Sequence, residues 1–239
     1  MEGRPRGRMK AAVLGGVLAL EALVALVAFG VTIAGVSMFR IPSVAMKGTL
    51  QVGETVVLER GDDVRRGDIV AIEAPEWRER KNGLFLLRVI GVGGDRISVG
   101  ANGQVAVNGK PLRESYLGRS AGLPGARLDV TVPPGRLWLM GDHRGAAVDS
   151  VQHQRMSSNG TVDARGVQGH VIAAGSGADW HGVTTPDAFV EAGLAERRGG
   201  PPAPLVTILV GTLAALALPF TVLVAVAAHV RDRRRSAAR

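Results

Sequence analysis

Apolar positions fall into two regimes along the chain. Residues 11–39 and 205–230 are nearly continuous runs of Ala, Val, Leu, Ile and Gly, whereas the stretch between them breaks into short runs closed by turn residues. Each long run exceeds the roughly 20 residues that carry a helix across the hydrocarbon core, so both predict membrane spans. The first span holds one acid, Glu21, which is expected to face water or to snorkel toward a leaflet. A basic n-region precedes it, but its apolar run is too long for the h-region of a cleaved leader, about 7–15 residues.

The interior follows another rhythm. Val56-Val57-Leu58 stops at Arg60-Gly61-Asp62, Asp68-Ile69-Val70-Ala71-Ile72 at Ala74-Pro75, and Phe85 to Ile90 at Gly91-Val92-Gly93-Gly94-Asp95. Gln104 to Val107 meets Asn108-Gly109, a tight-turn signal, and Leu128 to Val132 stops at Pro133-Pro134. Arg136 to Met140 closes at Gly141-Asp142. Short runs with regular turn signals predict a mainly β, antiparallel domain of sandwich or barrel type. Beyond it, Thr185 reads as the cap of a short helix with Pro186 at its first position, running to Arg198 and closing at Gly199. Gly199 to Pro204 reads as a stiff linker. The expected organisation is a basic tail over 1–10, a span over 11–39 and a β domain over 40–180. A helix with its linker over 181–204, a second span over 205–230 and a basic tail over 231–239 complete it.

Charge orients this plan. The chain of 239 residues carries a net charge of +8, and the excess sits at its two ends: Arg4, Arg6, Arg8 and Lys10 before the first span, and Arg231, Arg233, Arg234, Arg235 and Arg239 after the second. Flanks of that kind belong in the cytoplasm, which leaves the middle domain outside and makes the lipid bilayer the expected partner. Nucleic acid is not an expected partner, because basic and acidic residues nearly balance between Arg40 and Arg198. The absence of cysteine excludes disulfides, thiolate metal sites and a cysteine nucleophile. His143, His153, His170 and His181 lack metal-site spacing, so neither a metal nor a cofactor is expected. Trp77 fits an interfacial anchor and a packed loop aromatic equally well.

Several motifs resemble those of one family. Pro42-Ser43-Val44-Ala45-Met46-Lys47-Gly48-Thr49-Leu50 is similar to the nucleophile box of type I signal peptidases, Pro-Ser-x-Ser-Met-x-Pro-Thr-Leu. Arg66-Gly67-Asp68-Ile69-Val70 resembles the family's Arg-Gly-Asp-Ile-Val strand, and Arg88 to Asp95 its Lys-Arg-Val-Ile-Gly-x-Pro-Gly-Asp box. Val107 to Leu112, with Glu114 to Leu117, resembles the turn and segment that follow. Met140-Gly141-Asp142-His143-Arg144, continuing to Asp149-Ser150, resembles the Met-Gly-Asp-Asn-Arg…Asp-Ser-Arg box. The order matches too.

The resemblance implies a bacterial plasma-membrane protein with an extracytoplasmic signal-peptidase-type β domain. It also implies a serine nucleophile, a lysine base kept neutral by burial, a serine that orients the lysine, and an oxyanion-hole hydroxyl. Three of these four groups are missing. The nucleophile's position holds Ala45, the base's position Leu87 and the lysine-orienting position Ala147. Ser43 remains at the oxyanion position, and Met46 is expected beside it in the substrate cleft. Asp142, Arg144, Asp149 and Ser150 are expected to brace the loop behind the site.

The resulting expectation is a catalytically inactive homologue that binds signal peptides of exported preproteins or an active paralogous signal peptidase. One alternative is an active serine endopeptidase that uses Ser43 and Lys47, which alternation in an extended segment would set on one face with Ala45. Another is a structural membrane protein with no retained groove.

Overall fold

The computed structural model describes residues 35–77, 84–120, 127–155 and 158–199. In chain order the strands are β1 (Val36–Arg40), β2 (Thr55–Glu59), β3 (Ile69–Glu73), β4 (Leu84–Val92), β5 (Arg96–Val99) and β6 (Val105–Val107). Then come β7 (Lys110–Pro111), β8 (Leu128–Thr131), β9 (Arg136–Met140), β10 (Val162–Asp163), β11 (Val167–Ser176) and β12 (Asp179–Gly182), followed by one short helix, α1 (Asp187–Glu191). The larger sheet has the order β1-β2-β11-β3-β4-β9-β10, with β12 also paired to β11, and the smaller sheet runs β7-β6-β5-β8. Every pairing is antiparallel. The β runs expected from sequence appear as strands, and the domain is mainly β.

Local chemistry explains the connections. Asn108 and Gly109 both have positive φ, 53° and 77°, the backbone that a two-residue turn between β6 and β7 requires. β4 is long because both of its faces are covered. Leu87 and Val89 enter a cluster with Val70, Ile72, Trp77, Leu137 and Leu139. On the opposite face Leu86 joins the cluster under β1–β3, and Ile90 joins the cluster between β9 and the smaller sheet. Arg88 lies on that second face, between Leu86 and Ile90.

Three expectations change. The first predicted span ends early: Val36 to Phe39 form β1, laddered on β2 from Val36↔Glu59 to Arg40↔Thr55. Hydropathy alone cannot separate a short apolar strand from the end of an apolar helix. The remainder of that span with Glu21, the second span and both basic tails lie outside the described residues. Among the described residues no helix is long and apolar enough to cross a membrane.

The predicted helix is also shorter than expected. Thr185 does not cap it; its hydroxyl instead accepts from the Arg198 backbone N–H at 2.9 Å. Pro186 stands at the N-cap position, and the helix stops at Ala192 before Gly193, whose φ of +60° ends it.

Nor does the domain finish near residue 180. Ala188, Phe189 and Leu194 are buried in the cluster under the smaller sheet. Arg198 reaches back to Asp68 at 2.9 Å and Asp63 at 2.6 Å. Residues 183–198 therefore close the core rather than leave it.

Candidate functional site

Folding brings the three substituted positions together. Leu87 and Ala147, each 1 % exposed, belong to one apolar cluster, and Ala45 packs against it half-buried. Leu87 arrives on β4, where it pairs with Val70. The segments carrying Ala45 and Ala147 are joined through the backbone, since the His143 N–H donates to the Ala45 carbonyl at 2.9 Å and the Ala147 N–H to the His143 carbonyl at 3.0 Å. Gly141 is required here. A Cβ on it would sit 2.2 Å from the Ala147 Cβ and 2.7 Å from the Ala45 oxygen. Ala45, Leu87 and Ala147 carry no side-chain group able to attack a carbonyl or accept a proton.

A groove of about 260 Å³ opens over the cluster. Its walls are the end of β1 (Phe39, Arg40), the following loop through Ala45, the first half of β4 (Leu84 to Leu87), and Ala146 with Val148. Arg40 and Ser43 are the polar side chains among them. Two strand edges border it. β1 pairs with β2 alone, and β4 pairs with β9 only from Arg88 onward, which leaves Leu84 to Leu87 without a ladder on that side among the described residues. Four antiparallel steps separate β1 from β4 in the sheet, so these two edges run in the same direction.

Behind the groove lies a buried ionic brace. Arg88, 1 % exposed, donates from Nε to Asp142 Oδ1 at 2.9 Å and from Nη2 to Oδ2 at 2.6 Å. Its Nη1 donates to the Gly67 carbonyl at 2.7 Å. Thr49 Oγ1 donates to Asp142 Oδ2 at 2.5 Å and accepts from Arg88 Nη2 at 3.2 Å. The guanidinium also stacks 4.6 Å from the Tyr116 ring centroid. A second pair stands beside it. Arg144 donates to the Gly141 carbonyl at 3.0 Å and grips Glu114 at 3.0 and 2.5 Å, and Glu114 accepts from the Tyr116 hydroxyl at 2.8 Å. Ser150 closes the loop by exchanging two bonds with Leu139, N–H to Oγ at 2.8 Å and N–H to O at 3.0 Å. The box motifs pointed to Asp142, Arg144, Asp149 and Ser150. Pairing by Arg88, Thr49, Glu114 and Tyr116 escaped sequence reading, although all four stand inside matched boxes.

Asp149 is the unusual acid. Its carboxylate accepts from the Gly141 N–H at 3.1 Å and the Val151 N–H at 3.0 Å, yet burial pushes its pKa up to about 6. A carboxyl whose folded pKa lies above its unfolded value of 3.8 binds its proton more tightly when folded. This group's contribution to stability is therefore complete below that unfolded value and is lost as pH rises through about 6, a change of about 3 kcal/mol. His170 acts the other way, because burial lowers its pKa and folding then opposes its protonation below about 6.5. Comparison with Asp149→Asn separates the two. On acidification from pH 7 to pH 5 the unmodified protein gains melting temperature relative to Asp149→Asn; parallel pH profiles would show that Asp149 is not the source.

Other expected site residues are placed differently. The segment from Ser43 to Thr49 is a run of turns, with Lys47 N–H to Val44 O at 3.0 Å and Leu50 N–H to Met46 O at 2.9 Å. Ser43, Ala45 and Lys47 therefore do not share a strand face. Ser43 and Lys47 are both exposed and form no hydrogen bond with each other. Met46 does not line the groove: the turn directs it into the core, 1 % exposed, against Leu50, Leu58 and Ile69. Trp77 is fully buried, edge-on to Phe85 and stacked on His153 at 4.4 Å, so it is a packed loop aromatic. Among the described residues no group of His, Asp and Glu forms a metal site.

Comparison with known proteins places the chain. The family described as signal peptidase, peptidase S26 matches residues 15–174, more than half of the sequence, and the chain belongs to that family. It is similar to a probable signal peptidase I-2 of Synechocystis sp., 36 % identical over 117 residues, or 46 % of this chain and 52 % of the relative. A signal peptidase I of Mycobacterium tuberculosis is 39 % identical over 75 residues, 28 % of this chain and 26 % of the relative. One of Bacillus licheniformis is 29 % identical over 143 residues, 55 % of this chain and 72 % of the relative. The chain thus spans about half the length of the first relative and about a quarter of the second. A crystal structure of a signal peptidase I from Enterococcus faecalis overlaps with a TM-score of 0.37 at 24 % identity, covering 45 % of this chain and 96 % of that one.

Proposed function

We propose that this protein is a membrane-anchored member of the signal peptidase family that no longer cleaves, and that it holds an extended segment of an exported preprotein in the retained groove. The observation that carries the proposal is that Leu87 and Ala147 are buried in one apolar cluster, with half-buried Ala45 packed against it, beneath an open groove. A lysine left in that cluster without its hydroxyl partners would be a costly buried amine, whereas the leucine packs. Loss of the nucleophile or base of a catalytic unit typically lowers the rate by about 10⁴–10⁶-fold, and losing both adds little.

The groove itself is suited to a strand. Its two borders, β1 and the first half of β4, are edges without a further strand among the described residues and run the same way, so one extended peptide could hydrogen-bond to both by strand addition. The family membership and the two long apolar runs support a bacterial membrane location, with the β domain outside. The reading with Ser43 as nucleophile and Lys47 as base is disfavoured, because both side chains are exposed and unpaired with each other, and both stand on turns.

The test uses the full chain in a neutral detergent and a fluorescent signal-peptide fragment containing an Ala-x-Ala segment. Saturable binding without a new peptide terminus in mass spectrometry is the expected result. Cleavage that disappears in Ser43→Ala would replace the proposal with a rearranged peptidase. Absence of both binding and cleavage would leave a structural membrane protein.

A further inference from the structure

Arg40 is the charged side chain among the residues lining the groove. It stands on the last residue of β1, exposed, with Nε donating to the Gly53 carbonyl at 2.9 Å. That bond is reinforced from below, since the Gly53 N–H donates to the Ile41 carbonyl at 3.0 Å and the Ile41 N–H to the Glu54 carbonyl at 2.8 Å. The guanidinium is thereby held by one corner, and its two terminal nitrogens have no partner among the described residues. The nearest acid in sequence, Glu54, is occupied elsewhere, its Oε2 accepting from the Gln51 N–H at 2.7 Å. A fixed fork with free donors at the rim of an apolar groove suits a carboxylate.

Resting on the groove reading above, we propose that Arg40 selects the bound segment: the groove takes an extended, otherwise apolar peptide carrying an Asp or Glu side chain at the position that passes Arg40. The complement is a charge at Arg40, one hydroxyl at Ser43 and apolar lining elsewhere. Ala45, Leu87, Ala146 and Val148 offer nothing to a polar side chain, so a second charge elsewhere in the segment is penalised. An uncharged segment would bind through its backbone and apolar residues alone. Arg40 therefore sets preference rather than supplying most of the affinity.

The test is a scan of fluorescent ten-residue Ala/Val/Leu peptides with Glu moved through each position and Gln as the matched control. They are titrated onto the full chain in a neutral detergent, so that no lipid phosphate competes for the guanidinium. At one position Glu should bind about two- to fivefold more tightly than Gln, the range of an exposed ion pair. Raising the salt should erode that advantage. Arg40→Gln should abolish the Glu-over-Gln ratio, and Arg40→Glu should transfer the preference to Lys at the same position. Equal binding of Glu and Gln peptides throughout the scan overturns the role of Arg40 and leaves the groove reading standing. Binding of no peptide overturns both.

Discussion

Ala45→Ser, Leu87→Lys and Ala147→Ser, introduced together, should give a protein that cleaves a preprotein at an Ala-x-Ala site at least about 10³–10⁴-fold faster than the unmodified chain. The geometry makes this reasonable. Leu87 and Ala147 already share one buried cluster beneath the groove with Ala45 packed against it, and the backbone bond from His143 to Ala45 holds two of their segments in register. An amine at position 87 would be buried among Val70, Val89 and Leu139, an environment that lowers a lysine's pKa and keeps it neutral enough to act as a base. Leu87→Lys alone should yield no turnover and a less stable protein, because the amine then has no hydroxyl to pair with. Mass spectrometry of the product termini checks the first outcome, and thermal unfolding the second. A properly folded triple variant that remains silent would mean that the groove or oxyanion geometry was lost along with the chemistry.

The second large effect is expected behind the groove. Arg88→Ala should destabilise the protein by about 3–5 kcal/mol, because Asp142, fully buried, would be left as an uncompensated charge beside Thr49. In a domain of this size that corresponds to a fall of roughly 10 °C in melting temperature. Asp142→Ala should cost a similar amount for the mirror reason. The double variant should cost clearly less than the two single losses added together, since neither charge is then stranded. Thermal unfolding of the four proteins in one detergent completes the cycle. Strict additivity would show that the pair is not coupled, whatever its geometry. The brace also bears on the groove, because Arg88 ties β4 to the Gly67 turn while Asp142 and Thr49 join the two loops that carry Ala147 and Ala45.

What could be read in advance depended on how local the physics was. The strands were legible because alternation, β-branched runs and turn residues act within a few positions. Asn108-Gly109 is the clearest instance, a turn written in two residues and realised with two positive φ angles. The end of the first apolar run was not legible, because Val36-Ser37-Met38-Phe39 suits a helix end and a strand equally until β2 is there to pair with it. Thr185 had the residue type of a cap, but Arg198, thirteen positions later, took its hydroxyl. The segment after Ser43 was expected to be extended and instead turns, which moved Met46 into the core and separated Ser43 from Lys47.

By itself, the sequence determined the family, the mainly β character, and which residues stand at positions 45, 87 and 147, where the resemblance places a nucleophile, a base and an orienting hydroxyl. Those are properties of single residues and short motifs. Only the tertiary structure decided that Ala45, Leu87 and Ala147 converge on one apolar cluster, and that Arg88 meets Asp142 across 54 positions. It also decided that, among the described residues, β1 and the first half of β4 leave two unladdered edges beside one groove that Arg40 helps to line. These depend on strand order and register, which are set by the burial of the whole sheet rather than by any segment's own preference.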